Sequence, residues 1–299
     1  MTPTAAHTRS DTIANSAARV SFLMPMHNGL EFTRVSLRTL QQTVDLSPHE
    51  LILIDDASAD GTAEFLDQLQ TPCRVIHHEE RAGYAVGMNR GAAMASGELL
   101  CLLNNDLIFT PGWLPPMLRA FEKFPNAGVV GNVQFNPRTR QYDHMGVVFD
   151  RDGVPRHFGR HFRFRPFRGY TKWHAVTAAC CLVKKSVFLA AGGFDETYLN
   201  GCEDVDLCLT LGRLGHQHYV ANDSIIAHYV SSSEGRHLFN SQNEQLFVQR
   251  WSSHLQQNLT PGDHRRFAAN YVLRFLTKPW RYNGPKLGRS LLTLMTCGY

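Results

Sequence analysis

Between Val20 and Leu103 short aliphatic runs alternate with stretches of helical spacing, and this alternation limits the possible folds more than any other feature. Val20 to Met24 is an apolar run that stops at Pro25, and Leu30 to Leu40 follows with helical spacing. Glu50 to Ile54 is almost purely aliphatic, Gly61 to Leu69 reads as a helix and Cys73 to Ile76 as a third strand. Gly83 to Ala95 is a helix of small residues, and Leu99 to Leu103 is a fourth strand. Strands and helices alternating at this spacing predict an α/β fold with a mostly parallel sheet covered on both faces. Ligands of such sheets gather beyond the carboxyl ends of the strands. Two of the runs end in polar clusters there: Asp55-Asp56 after the second and Asn104-Asn105-Asp106 after the fourth.

The second half is less regular. Residues 128–172 are rich in Gly, Pro and Arg and read as hairpins and a long loop. Ala175 to Val183 is a buried strand, Lys185 to Ala191 a short helix ended by Gly192 and Gly193, and Cys202 to Leu214 an amphipathic helix. Gln217 to Val220 and Ser224 to Ala227 read as two strands, and beyond Arg236 the chain is helical, broken by Pro261, Pro279 and Pro285. Residues 1–17 lack the apolar core of a signal peptide and read as a disordered tail. The expected division is thus a tail (1–17), a catalytic unit (18–235) and a helical extension (236–299). Within the unit, residues 18–106 form the nucleotide-binding half and 107–235 the acceptor-binding half. No apolar run approaches the ~20 residues that span a bilayer. With seven cysteines and no Cys-x-x-Cys, the sequence suits a reduced, cytoplasmic protein, possible also at the inner face of the membrane.

A net charge of +4 is too small to indicate nucleic acid, but its distribution is uneven. Arg151, Arg156, Arg160, Arg163, Arg165, Arg168 and Lys172 are interleaved with Phe158, Phe162, Phe164 and Phe167. This suits either an anionic partner or a solvated loop whose aromatics cap the core. Residues 264–299 alternate basic with aromatic and aliphatic residues. A helix lying on an anionic membrane has this composition. So does one whose apolar face packs on its own domain or in a homodimer.

Three acidic clusters and one histidine carry candidate chemistry. Carboxylates at a strand end, such as Asp55 and Asp56, accept hydrogen bonds from a base or ribose, whereas Asp60 or Ser58 equally well caps a helix. Asp106 suits a divalent metal against a diphosphate, although Asn and Asp also populate ordinary turns. Glu203, Asp204 and Asp206 open a helix, where acids are common for dipole reasons alone. Glu203 and Asp206 share one face and Asp204 another, so one carboxylate could act as general base while the others satisfy local donors. His228 ends an apolar strand and gains weight only as a partner for Asp106.

Taken in order, these segments resemble family 2 of the glycosyltransferases, with the GT-A fold. The resemblance runs from Val20-Ser21-Phe22-Leu23-Met24-Pro25-Met26-His27-Asn28 through Asp55 to Thr62, Arg81 to Gly91 and Leu102 to Asp106. It continues in Gly192-Gly193-Phe194-Asp195-Glu196, Glu203-Asp204-Val205-Asp206-Leu207 and His228. The segment Gln141 to Val148 is similar to bacterial members that build surface polysaccharides. The resemblance implies an inverting hexosyl- or deoxyhexosyltransferase that uses a nucleotide diphospho-sugar. Its acceptor would be a glycan or a lipid-linked glycan. Pro25, Asn28, Asp55, Asp56, Gly83, Asn89 and Asn105 would line the nucleotide site. Arg236, on a Ser- and Gly-containing loop after His228, suits either a lid over the diphosphate or a solvated surface position. Asp106 and His228 would hold Mn²⁺ or Mg²⁺. Asp204 would be the catalytic base, with Glu203 as the substitute.

Two departures qualify the resemblance. The family's metal motif is usually Asp-x-Asp, and Asn104 stands in its first place. Polymerising members carry Gln-x-x-Arg-Trp, and here Phe247 precedes Arg250-Trp251 where Gln belongs, which favours transfer of one or a few sugars. Two other classes stay open: an inactive sugar-nucleotide-binding scaffold, and a nucleotidyltransferase. The latter would need a glycine- and basic-rich loop where this chain has Pro25-Met26-His27-Asn28.

Overall fold

The computed structural model describes residues 19–229 and 239–296, without the side chain of Arg281. Residues 1–18 and Arg236 lie outside them. The aliphatic runs become strands β1 (Val20–Met26), β2 (Glu50–Asp55), β3 (Arg74–His77) and β4 (Leu99–Leu103). They are connected by helices α1 (Leu30–Thr43), α2 (Thr62–Asp67) and α3 (Tyr84–Met94), and β5 (Leu107–Phe109) and α4 (Leu114–Lys123) follow. These four strands are parallel, in the order β3-β2-β1-β4. The register sets Met26 beside Asp55 and Asp55 beside His77, so the strand ends share one edge.

The sheet widens through β6 (Ala127–Asn136), β7 (Gln141–His144), β10 (Tyr170–Trp173), β11 (Cys180–Lys184) and β12 (Gln217–His228). Between β7 and β10, strands β8 (Val147–Phe149) and β9 (Pro155–His157) form a separate hairpin. Strand β11 runs antiparallel between β4 and β6, and β12 pairs parallel with β6, so the sheet is mostly parallel. Alternate residues feed two cores. Leu23, Ile52, Ile54 and Leu102 face one, with Met88 of α3 and Phe188 of α5 (Lys185–Ala190). Phe22, Met24, Leu51 and Leu53 face the other, with Leu37 of α1 and Met117 of α4. Covering both faces explains why the parallel strands are continuously apolar.

Three expectations need correction. The strand read over Ala175 to Val183 begins only at Cys180, and residues 175–179 lead into it without strand pairing. Strand β1 does not stop at Pro25 but continues to Met26. Its pairing with β4 ends at Leu23, and Pro25 pairs only with β2, where a missing N–H on the other side disturbs no ladder. The segments Gln217 to Val220 and Ser224 to Ala227 are one strand, β12, whose register shifts between Ala221 and Ile225. The Asn222 side chain holds that irregularity by donating to Thr171 Oγ1 at 2.9 Å.

The basic, Phe-rich loop takes the core-capping form. Phe158 and Phe162 are buried, and Phe167 packs on Phe158 and Trp173, leaving Phe164 exposed. Its arginines are largely engaged within the chain: Arg156 with Glu244 at 2.6 Å, Arg160 with Asp143 at 3.3 Å, and Arg165 with the Asn222 carbonyl at 2.6 Å.

Helix α6 (Glu203–Arg213) precedes β12, and the chain closes with α7 (Asn240–Asn258), α8 (Pro261–Thr277), a 3-10 turn (Pro279–Arg281) and α9 (Gly284–Thr296). The three prolines that interrupt this region stand in the first turns of the elements after them, where an N–H is not needed. Thr260 and Asp263 form a reciprocal capping box at the start of α8.

Candidate active site

The loops after β1 and β2 are sewn together at the strand-end edge. The Asn28 amide donates to Ser58 Oγ at 2.8 Å, and the Ala59 amide donates to Asn28 Oδ1 at 2.8 Å. Asp60 accepts from the Leu30 amide at 3.0 Å and from Thr62. Asn105 donates to Thr33 Oγ1 at 3.0 Å and lies against the Asn28 carbonyl, which brings the turn after β4 to the turn after β1. The crevice between β1 and β4, where the strand order reverses, is therefore floored by predicted site residues.

Asp55 and Asp56 are both buried and engaged within the chain. Asp55 accepts from the Ser58 amide at 3.1 Å and pairs with His77 Nδ1 at 3.0 Å. That hydrogen bond raises the His77 imidazole above its ordinary pKa. Asp56 pairs with His78 Nδ1 at 2.8 Å and accepts from the amides of Ala82 at 2.7 Å and Gly83 at 3.0 Å. Burial pushes its carboxyl up, but these donors outweigh burial and hold it below the usual range. Gly83, at φ 90°, turns the chain into α3 with its amide toward that carboxylate. Pro25 is buried in β1. Asn89 ties α3 to the Gly192–Glu196 turn, donating to the Phe194 carbonyl and to Glu196, each at 2.9 Å, and accepting from the Phe194 amide at 2.9 Å.

Asp106 and His228 meet because β5 pairs antiparallel with β12, with Leu107 opposite His228. Both side chains are buried, and His228 Nε2 stands 3.2 Å from Asp106 Oδ1. The other ring nitrogen, Nδ1, lies 2.8 Å from Gln134 Oε1. A ring nitrogen and a carboxylate oxygen facing each other at this distance, with the second ring nitrogen held by Gln134, are a donor set that fits a divalent metal. No set of three or more His, Cys, Asp or Glu suited to a metal occurs among the described residues, so an ion held by this pair would need other oxygens to complete its shell.

The three acids opening α6 have separate partners. Glu203 accepts from the Gly201 amide at 2.5 Å. Asp206 accepts from Tyr198 Oη at 3.0 Å, Arg250 at 2.9 Å and Trp251 Nε1 at 2.7 Å. Asp204 turns the other way, accepting from the Ala178 amide at 3.0 Å as well as from the adjacent Val205 amide at 2.8 Å. The 177–179 segment thus gathers the site. Its Ala179 carbonyl accepts from the Asn104 amide at 2.8 Å, and the Thr177 amide points to His144 Nε2 at 3.5 Å.

Sequence reasoning missed Gln134, His144 and His157. His144 is fully buried, and burial first, then the neighbouring His157, pushes its pKa well below the ordinary value. It is therefore a neutral ring, 2.8 Å from His157 Nδ1 and paired in register with Gln134. A usable signal existed. Asn132 and Gln134 interrupt the apolar strand β6, and buried amides in a strand need dedicated partners.

Comparison with known proteins agrees with this architecture. The sequence profile described as Glycosyl transferase family 2 matches residues 21–190. An O-antigen biosynthesis protein, RfbC of Myxococcus xanthus, is 30% identical over 72% of this chain and 18% of its own length. The uncharacterized protein y4gI of Sinorhizobium fredii is 29% identical over 72% of this chain and 25% of its own length. The chain thus spans a quarter or less of these two relatives. The N-acetylglucosaminyl-diphospho-decaprenol L-rhamnosyltransferase of Mycobacterium tuberculosis is 27% identical over 63% of this chain and 69% of its own. Among solved structures, the Pyrobaculum calidifontis mannosyltransferase PcManGT in complex with GDP-Man and Mn²⁺ superposes with a TM-score of 0.59. That match has 17% identity and covers 95% of this chain and 77% of the other. GalNAc-T7 with UDP, GalNAc and Mn²⁺ superposes with a TM-score of 0.61 at 15% identity, over 72% of this chain and 44% of the other. With more than half of its length matched by the family profile and the same sheet at its centre, this chain belongs to glycosyl transferase family 2 and has the GT-A fold.

Proposed function

We propose that the chain transfers a sugar from a nucleotide diphospho-sugar to an acceptor hydroxyl with inversion at the anomeric carbon. The observation that carries the reading is the buried Asp106–His228 pair, 3.2 Å apart at the strand-end edge, in a fold that also holds Asp204 by the Ala178 amide at 3.0 Å. Residues 18–235 form the catalytic unit, with the donor in 18–106 and the acceptor against 107–235. The turns around Asn28, Asp55, Asp56, Gly83, Asn89 and Asn105 shape the nucleotide subsite.

Asp204 accepts the proton of the acceptor hydroxyl as that oxygen forms its bond to the anomeric carbon. The nucleoside diphosphate leaves from the opposite face with the electron pair of the broken C–O bond. Two backbone donors fix the carboxylate's orientation, and general-base help of this kind contributes about 10²–10⁴ in rate. A divalent ion held by Asp106 and His228 would neutralise the charge growing on the diphosphate. Gln134, 2.8 Å from His228 Nδ1, would hold the ring in place for that role. The names of the rhamnosyltransferase and O-antigen relatives support a deoxyhexose or hexose donor and a role in bacterial surface-glycan assembly on a lipid-linked acceptor.

The test is calorimetric binding of nucleotide sugars with Mn²⁺ and with excess chelator. Binding should need the metal, and Gln134→Leu should weaken Mn²⁺ about 10–100-fold. The product released with a sugar acceptor should be a nucleoside diphosphate. Donor binding that is unchanged in chelator would remove Asp106 and His228 from the metal site, and released pyrophosphate would make the chain a nucleotidyltransferase.

A further inference from the structure

The C-terminal helices present an apolar surface that the fold leaves uncovered. Helix α8 packs one side on the catalytic unit: Ala268 and Asn270 are buried, and Asn270 accepts from the Gly159 amide at 3.0 Å. Helix α9 then packs on α8. Its inner row is Leu287, Ser290 and Leu294, spaced for one helical face, with Ser290 buried. A second row, Leu291, Leu292 and Met295, faces outward and is exposed. At the other end of the hairpin Leu276 is 70% exposed and Trp280 77%. An amphipathic helix needs one apolar face to fold onto its own domain, so the second face of α9 calls for another explanation.

Charge identifies the occupant. Seven of the chain's 30 Lys and Arg, and none of its 26 Asp and Glu, lie in residues 264–299. This segment therefore carries +7 and the preceding 263 residues −3. A second copy is a poor partner, because a two-fold interface would set two such segments, neither of which contains an acid, face to face. An apolar recess of about 350 Å³ also opens between the hairpin and the Phe-rich loop, walled by Phe158, Phe162, Phe164, Leu273 and Leu294. Its only charged lining residues are Arg265 and Arg266.

From these observations we infer that the α8–α9 hairpin, with Phe164, seats the protein on an anionic phospholipid bilayer. Trp280, Leu276 and the outer row of α9 enter the headgroup boundary, and Arg265 and Arg289 meet lipid phosphates. Seating is reversible, since no helix among the described residues is long and apolar enough to cross a membrane. This inference stands apart from the catalytic reading, and its test involves no turnover.

The full chain is mixed with vesicles of equal parts phosphatidylglycerol and phosphatidylcholine, and separately with phosphatidylcholine alone. Trp113, Trp173 and Trp251 are buried, so a lipid-dependent blue shift of tryptophan emission reports Trp280. The shift and co-sedimentation should occur with anionic vesicles only. Both should fade as salt rises from about 0.1 M to about 1 M, where screening shortens from about 10 Å to about 3 Å. Trp280→Phe should abolish the shift while the protein still sediments. Arg265→Gln and Arg289→Gln should each weaken binding about fivefold, and the exposed triple change Leu291→Ser, Leu292→Ser, Met295→Ser should abolish it. A chain that ignores vesicles, or binds both kinds equally, overturns the proposal. So does emission that shifts with protein concentration instead of lipid, which would assign the face to a second copy.

Discussion

Replacing Asp206 tests how the C-terminal helices are fastened to the helix that carries Asp204. Asp206 is buried, and its Oδ1 accepts hydrogen bonds from Tyr198, Arg250 and Trp251. Tyr198 and Trp251 are themselves buried, and burial together with the Asp206 charge raises the Tyr198 phenol well above its usual pKa. Asp206→Ala leaves two buried donors without an acceptor, at about 1–3 kcal/mol each. Arg250 keeps Asp195 at 2.6 Å, so its charge stays paired. The sum is about 2–6 kcal/mol. Asp206→Asn keeps a neutral acceptor in place and should cost about 1–2 kcal/mol. Urea unfolding followed by circular dichroism would read this as a lower midpoint at unchanged slope. Adding Tyr198→Phe to Asp206→Ala removes one orphaned donor, so its further cost should be smaller than in the wild-type background. A cost below about 1 kcal/mol for Asp206→Ala, or full additivity of the two changes, would refute the reasoning.

Two further outcomes follow from the packing. His218 is fully buried, accepting from the Val129 amide at 3.0 Å and meeting the Cys208 carbonyl at 2.7 Å, and burial lowers its pKa to about 4. The unfolded chain binds that proton nearer pH 6.5, so this contribution to stability is intact above about 6.5 and is lost as pH falls toward about 4. The loss amounts to about 3 kcal/mol and should be flattened in the unfolding profile of His218→Gln. Gly193 sits at φ +75°, and a Cβ there would meet Asn89 Oδ1 at 2.5 Å. Gly193→Ala should therefore cost about 1–3 kcal/mol and lower the thermal midpoint, with Asn89→Ala in the same chain relieving part of the clash.

The first half of the fold was legible because parallel strands buried on both faces must be aliphatic throughout, and polar residues then mark the strand ends. Asp55, Asp56 and Asp106 announce themselves by standing directly after such runs. Gln134 and His144 were hidden because a single polar residue in a strand does not name its partner, which for Gln134 comes from β12, over 90 residues later, and for His144 is His157 of β9. The break in β12 misled because Asn222 and Asp223 look like a turn, although they bulge from a continuous strand. Arg250-Trp251 read as the remnant of a polymerase motif. The fold instead uses both side chains as donors to Asp206, a contact between α6 and α7 that no local pattern encodes.

The central claim is that Asp204 takes the acceptor's proton while the strand-end turns hold the donor. Its most direct measurement is the turnover of Asp204→Asn with the donor and acceptor found by screening, beside donor affinity measured by calorimetry. The isosteric amide preserves an acceptor for the Ala178 amide but is no base. Donor affinity should stay within about twofold of wild type while turnover falls by about 10²–10⁴. Turnover near the wild-type rate would contradict it and pass the role to Glu203.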